Sequence, residues 1–234
     1  MTNTIKSEIP SLIPSRNDNY ARKQQADTLN VLGVGGSMRQ GSYSTLTLKL
    51  LLEEAKKYKS ESYMLELRKI NLPLYDPSET SSDQPSYNNN NNNLKRITKA
   101  LKWADVLVLA SPDYHGSMSG AMKNFLDYFW EEFAGKTFGY IVASHEKGLT
   151  VVDQMRTAVR QCYGWSMPYN ISINGENDFD SKGTLVNSAL AKRIKMLARD
   201  LVTYGKLIRG QFLQDVANQK ILDTFAAHYR DYYN

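Results

Sequence analysis

The sequence predicts an α/β fold of three layers: a five-stranded parallel sheet in the order 2-1-3-4-5, with helices on both faces. Three observations carry this. Five short apolar runs alternate with segments of helical period, the pattern of repeated strand–helix–strand units. The first run, Leu29–Val34, is apolar almost throughout, as a strand covered on both faces must be. Between the first run and the first helical segment lies a polar Gly/Ser loop, Gly36 to Ser44, the arrangement that puts a ligand loop at the carboxyl end of a strand.

Leu29–Val34 is the first strand. The first helix is expected over Leu46 to Tyr58, with Leu46, Leu48, Leu50, Leu51, Leu52 and Ala55 forming a broad apolar face and Ser44 or Thr45 as its cap. Ser62 to Ile70 alternates through Tyr63, Leu65 and Leu67 and reads as the second strand, followed by the turn-rich segment Asn71 to Pro77. Leu94–Trp103 is a helix and Asp105–Ala110 the third strand. A helix over Ser119–Phe133 has the clearest period of the chain, apolar at 122, 125, 126, 129, 130 and 133. Its bulk (Phe125, Phe129, Trp130, Phe133) exceeds what a sheet-covering helix needs, so part of it is read as core and part as a subunit interface of a homodimer or homotetramer. Lys136–Ala143 is the fourth strand, Thr150–Tyr163 a helix, Met167–Ile173 the fifth strand, and Leu185–Ile208 a long helix.

The 234 residues divide into a polar, disordered tail over 1–27, one domain over 28–210 and a helical extension over 211–234. A low-complexity stretch over 78–93, ending in six asparagines, is read as a surface insertion. The formal net charge of +5 is spread over pairs such as Lys56-Lys57 and Lys192-Arg193, without a stripe or a base-reading motif. That argues against nucleic acid and for a mild field favouring small anions. One cysteine, Cys162, excludes an internal disulfide and a Cys-x-x-Cys motif. The three histidines, His115, His145 and His228, are far apart in sequence, and no metal site is expected from them. With no signal-peptide core and no run long enough to span a membrane, a cytoplasmic protein is expected.

The loop Gly36-Ser37-Met38-Arg39-Gln40-Gly41-Ser42-Tyr43-Ser44 has the equipment of a phosphate site: backbone N–H groups, a helix start, the hydroxyls of Ser37, Ser42, Tyr43 and Ser44, and the guanidinium of Arg39. It lacks the Gly-Lys-Ser/Thr of a Walker A loop, and Met38 stands where a dinucleotide fingerprint needs its third glycine. Arg39 suits a dianionic phosphate monoester. In the strand order above, the topological switch point lies between strands one and three, so the loops after strands one, three and four converge on one ligand. The third-strand loop, Ser111 to Gly120, brings Pro112, Asp113, Tyr114, His115, Gly116 and Ser117. The fourth brings Ser144, His145 and Gly148. Tyr114 and His115 offer planar groups to a flat ligand. His145 on its own fits a surface histidine as well.

Three segments then resemble, in order, the NAD(P)H-dependent FMN reductase family, a flavodoxin-like group that includes chromate, quinone and azo reductases and the arsenic-resistance ArsH proteins. Gly36 to Ser44 resembles the family's G-S-x-R-x-x-S-x-[NS] loop. Ser111 to Asn124 resembles its [ST]-P-E-Y-x-x-[ST]-x-x-G-x-[LM]-K-N segment, with Asp113 in place of Glu. Leu72-Pro73-Leu74-Tyr75-Asp76 resembles its L-P-x-[YF]-[DN] element. The resemblance covers about residues 29 to 175. It implies FMN as cofactor and NADPH or NADH as reductant. Ser37, Arg39, Ser42, Tyr43 and Ser44 would hold the phosphate, while Pro112, Asp113, Tyr114, His115 and Ser117 would contact the ring system and ribityl chain. Ser144, His145 and Gly148 would meet the pyrimidine edge. Flavin N5 carries the chemistry, so no side chain is assigned as catalytic. The implied activity is ping-pong transfer of hydride through FMN to a flavin, quinone or similar small electron acceptor. The alternatives are an ArsH-like quinone or organoarsenical oxidoreductase and, in another class, a flavodoxin-type electron carrier without enzymatic activity.

Overall fold

The computed structural model describes residues 28–78 and 92–233. The tail over 1–27 and most of the 78–93 insertion lie outside the described residues. In chain order the elements are β1 (Leu29–Gly35), α1 (Tyr43–Ala55), β2 (Ser60–Glu66), α2 (Asn92–Trp103), β3 (Val106–Pro112), α3 (Gly120–Asp127), β4 (Thr137–Ala143), α4 (Leu149–Gln161), β5 (Trp165–Ser166), β6 (Ile171–Ile173), the single turn α5 (Gly175–Asp178), α6 (Ser188–Ala217) and a last turn α7 (Arg230–Tyr233).

All pairings are parallel. β1 lies between β2 and β3, with Leu32 opposite both Tyr63 and Leu107, and β4 follows β3, with Tyr140 opposite Leu109. The expected order 2-1-3-4-5 is present, with the fifth position shared by two short strands on β4: Trp165 pairs Thr137, and Ile171 pairs Ile141. The single strand expected over Met167–Ile173 is therefore broken. Pro168 has no N–H for the ladder, and the chain leaves the sheet there before β6.

Two apolar layers sandwich the sheet. On one face Leu32, Val34, Leu107, Leu109, Tyr140 and Val142 pack against α2, α3 and α4; on the other Val31, Val106, Val108 and Ile141 pack against α1 and α6. Each fully buried leucine or isoleucine in these layers stabilises by about 1.5–3 kcal/mol. Gly33 makes the second layer possible. A Cβ there would sit 2.7 Å from Leu52 Cδ1, so its absence lets α1 lie directly on β1.

Several boundaries differ from expectation. α1 starts at Tyr43, because the cap is Ser42, whose Oγ accepts from Thr45 N (3.3 Å); Ser44 and Thr45 lie inside the first turn. α3 ends at Asp127 and is followed by a 3-10 turn over Glu131–Phe133, not by a continuous helix to Phe133. Of its aromatics, Phe125, Phe129 and Phe133 are core and only Trp130 is exposed, at 56%. The surplus bulk thus fills the layer under α2 and α4. The long helix runs over 188–217, later at both ends than expected. No helix among the described residues is long and apolar enough to cross a membrane.

Candidate active site

The three loops predicted to converge are tied to one another at the carboxyl ends of β1, β3 and β4. Gly36 N donates to Ala110 O (2.8 Å), and Ser119 Oγ donates to Gly36 O (2.6 Å). Ser119 also caps α3 by accepting from Met122 N, while its own N–H donates to Ser111 Oγ (3.0 Å). Asp113 N donates to Ala143 O (2.8 Å), and Ser144 Oγ donates to Asp113 Oδ2 (2.9 Å). The fourth-strand loop is held from behind by Ser172 Oγ on Lys147 O (2.7 Å) and Asn174 Nδ2 on His145 O (3.3 Å).

In the first loop Ser37 is buried, its Oγ accepting from Arg39 N (3.2 Å); Met38, Arg39, Gln40 and Gly41 are exposed. Ser42 and Ser44 are buried and bound to the helix start, Ser42 Oγ donating to Thr45 Oγ1 (2.8 Å) and lying 3.3 Å from Ser44 Oγ. Tyr43 is half-buried against Phe179, ring centroids 5.4 Å apart. Among the described residues, the amides of Ser37, Met38, Gln40, Gly41, Tyr43 and Ser44 donate to no backbone or side-chain acceptor. Polar N–H groups left without a protein partner at a helix N-terminus are what an anion takes.

The second loop is a tight turn. Tyr114 N donates to Ser117 O (2.9 Å) and Ser117 N to Tyr114 O (3.1 Å), while His115 and Gly116 both have positive φ, +58° and +75°. That is the two-residue type I′ geometry, which glycine adopts freely and histidine tolerates. Tyr114 and His115 are thereby lifted into solvent. Asp113 accepts from Gly116 N through Oδ1 (2.8 Å) and from Ser144 through Oδ2, so both oxygens brace loops. Pro112 ends β3, buried. In the third loop His145 is exposed and Gly148 is the N-cap of α4 with no side-chain cap, leaving the first amides of that helix open.

The Leu72 to Asp76 element is held to the same framework by Asn124, whose Oδ1 accepts from Tyr75 N (2.8 Å) and whose Nδ2 donates to Pro73 O (2.8 Å). All thirteen residues singled out in the sequence therefore stand on these three linked loops. Sequence reasoning missed Ser111, Ser119 and Gln154, which hold the loops together. Ser119 carried a signal as a cap before an apolar helical run; Ser111 and Gln154 carried none. Cys162 lies elsewhere: burial, helped by Glu132, pushes its thiol up to about 11, which suits an inert core residue. Among the described residues no group of three or more His, Cys, Asp and Glu side chains is placed to hold a metal ion.

Comparison with known proteins agrees with this geometry. The profile of the NADPH-dependent FMN reductase family matches residues 29–178. An NAD(P)H-dependent FMN reductase of Pseudomonas aeruginosa is 26% identical over 194 residues, covering 79% of this chain and 100% of that protein. An FMN-dependent NADPH-azoreductase of Staphylococcus saprophyticus is 30% identical over 181 residues, covering 73% and 92%. Among solved structures, the flavoenzyme NAD(P)H:(acceptor) oxidoreductase FerB of Paracoccus denitrificans superposes with a TM-score of 0.62 at 18% identity, covering 76% and 98%. An archaeal flavodoxin superposes at 0.53 and 12% identity, covering 76% and 99%. The two structural likenesses establish a flavodoxin-like fold. The profile match, over more than half the chain and spanning all three loops, places the protein in the NADPH-dependent FMN reductase family: it is an oxidoreductase of that family, whose cofactors are FMN and a nicotinamide nucleotide.

Proposed function

We propose that the protein takes reducing equivalents from NADPH or NADH and passes them, through FMN seated on the three loops, to a small acceptor such as a free flavin, a quinone or an azo compound. The observation that carries this reading is the first loop: the open amides of Ser37, Met38, Gln40, Gly41, Tyr43 and Ser44, the exposed Arg39 and the N-terminus of the 13-residue α1 follow one another in one short segment. A phosphate monoester fits that donor set and its charge. Bound FMN supplies the hydride and electron chemistry.

The chain's own residues bind and orient. Arg39 and the loop amides anchor the phosphate, with Tyr43 walling the ribityl side. Pro112 and the Tyr114–Ser117 turn flank the ring system. The open amides of α4, with Ser144, His145 and Gly148 beside them, offer hydrogen bonds and a positive dipole end to the carbonyl edge of the pyrimidine ring, where negative charge gathers on reduction. Asp113 braces the site, its two oxygens accepting from Gly116 N and Ser144 Oγ. Reductant and acceptor would then occupy the same site in turn. Initial rates with NADPH and a quinone both varied should give parallel double-reciprocal lines; intersecting lines would contradict that order.

A further inference from the structure

Gln154 lies on the exposed side of α4, outside every motif, yet both ends of its side-chain amide are hydrogen-bonded. Oε1 accepts from Ser117 Oγ (2.9 Å) and from Met118 N (3.3 Å), and Nε2 donates to Gly116 O (3.3 Å). The amide's orientation follows from its partners: a backbone N–H only donates and a backbone carbonyl only accepts, so the flipped amide would put like against like at both. The three partners are consecutive, 36 to 38 residues away in sequence, and they form the rising side of the His115–Gly116 turn. The other side of that turn is held by Asp113 through Gly116 N, and Asp113 in turn is tied to Ser144. The turn carries two consecutive positive φ values, one on Gly116, which adopts it freely, and one on His115, which leans more on the contacts around it. α4 is also the helix whose open N-terminus borders the third loop.

We infer that Gln154 is a positioning residue for the candidate flavin site, setting the distance and angle between the Tyr114–Ser117 turn and the N-terminus of α4. This rests on the flavin reading above. A ring held between these two elements needs both at fixed separation, and Gln154 is a direct side-chain link from the body of α4 to the turn. It touches neither flavin nor substrate in this role; it acts through Gly116, Ser117 and Met118.

The test compares the full-length wild type with Gln154→Leu, Gln154→Glu and, as a control at the far end of α4, Gln161→Leu. Three quantities are read: FMN affinity by fluorescence quenching, the anaerobic rate of flavin reduction by NADPH at saturating FMN, and hydrogen exchange of the Met118 amide in flavin-free protein. Gln154→Leu should speed Met118 exchange, weaken FMN about tenfold and slow flavin reduction. Gln154→Glu keeps acceptors for Ser117 Oγ and Met118 N but turns an oxygen on Gly116 O, so it should bind FMN more weakly than wild type and more tightly than Gln154→Leu, while its added negative charge lowers the flavin midpoint potential. Gln161→Leu should match wild type throughout. Wild-type affinity, reduction rate and Met118 exchange in Gln154→Leu would overturn the inference while leaving the flavin reading intact. Should Gln154→Leu fail to fold, an unchanged potential together with wild-type affinity in Gln154→Glu would overturn it. A wild type that takes up no FMN would instead refute the flavin reading itself.

Discussion

Arg39 stands exposed in the first loop, between Met38 and Gln40, which are exposed as well. Its use is charge. Arg39→Ala should weaken FMN binding by about 1.5–3 kcal/mol, the scale of a charge-assisted hydrogen bond; titration of the flavin-free protein measures this, and an unchanged affinity would show that the phosphate sits elsewhere. A second residue speaks to stability at the opposite end of the sheet. Lys136, fully buried just before β4, donates to Leu101 O. Burial, reinforced by the Arg209 guanidinium, holds its ammonium well below the usual 10.5, with Asp105 and Glu132 opposing in part. The folded protein therefore releases this proton at lower pH than the unfolded chain does. Between those two values the unfolded chain binds more protons, so stability rises with pH and falls as the pH is lowered. Lys136→Met should flatten that rise when urea midpoints are followed from about pH 7 to 10; identical slopes in the two proteins would contradict it. Residue-scale legibility was uneven. Arg39 and the Ser-rich loop announced themselves because a charged loop residue beside a strand end has few structural uses. The internal engagement of Ser42, Ser44 and Asp113 depends on partners chosen by the fold.

At the scale of elements, β1, β3 and β4 were read well because a run covered on both faces is apolar whatever its register, whereas the second strand ends at Glu66, before a 3-10 turn over Leu67–Lys69, and not at Ile70. Breaks were read poorly. The apolar series at 122, 125, 126, 129 and 133 continues through the end of α3, since a 3-10 turn repeats every three residues and an α-helix every 3.6, and over one turn the two patterns coincide. The fifth strand split at Pro168, a residue visible in the sequence whose consequence depended on the neighbouring ladder. The distal half of α6 also reaches a contact no period reveals: Phe212 lies flat on Gly135, where a Cβ would fall 2.2 Å from the ring, at φ +68°. Gly135→Ala combines that overlap with a left-handed alanine and should cost about 2–4 kcal/mol. Urea unfolding would register this as a lower midpoint at unchanged slope, and an unaltered midpoint would mean that α6 does not pack there.

For the molecule as a whole, the strand order 2-1-3-4-5 sets the carboxyl ends of β1, β3 and β4 side by side, and with them the three loops. That is why the candidate site was legible before any side-chain contact was: topology gathers loops that sequence separates, and Ser119 on Gly36, 83 residues apart, and Ser144 on Asp113, 31 apart, then lock them together. The expected subunit interface rested on aromatic bulk that the core of one chain absorbs, apart from Trp130. The most direct test of a flavin site on these loops is the visible absorbance spectrum of the protein after FMN addition and desalting, repeated anaerobically with NADPH. Retained flavin bands that bleach with NADPH are the expected result. A protein that emerges without flavin, or keeps bands that neither NADPH nor NADH bleaches, would contradict it.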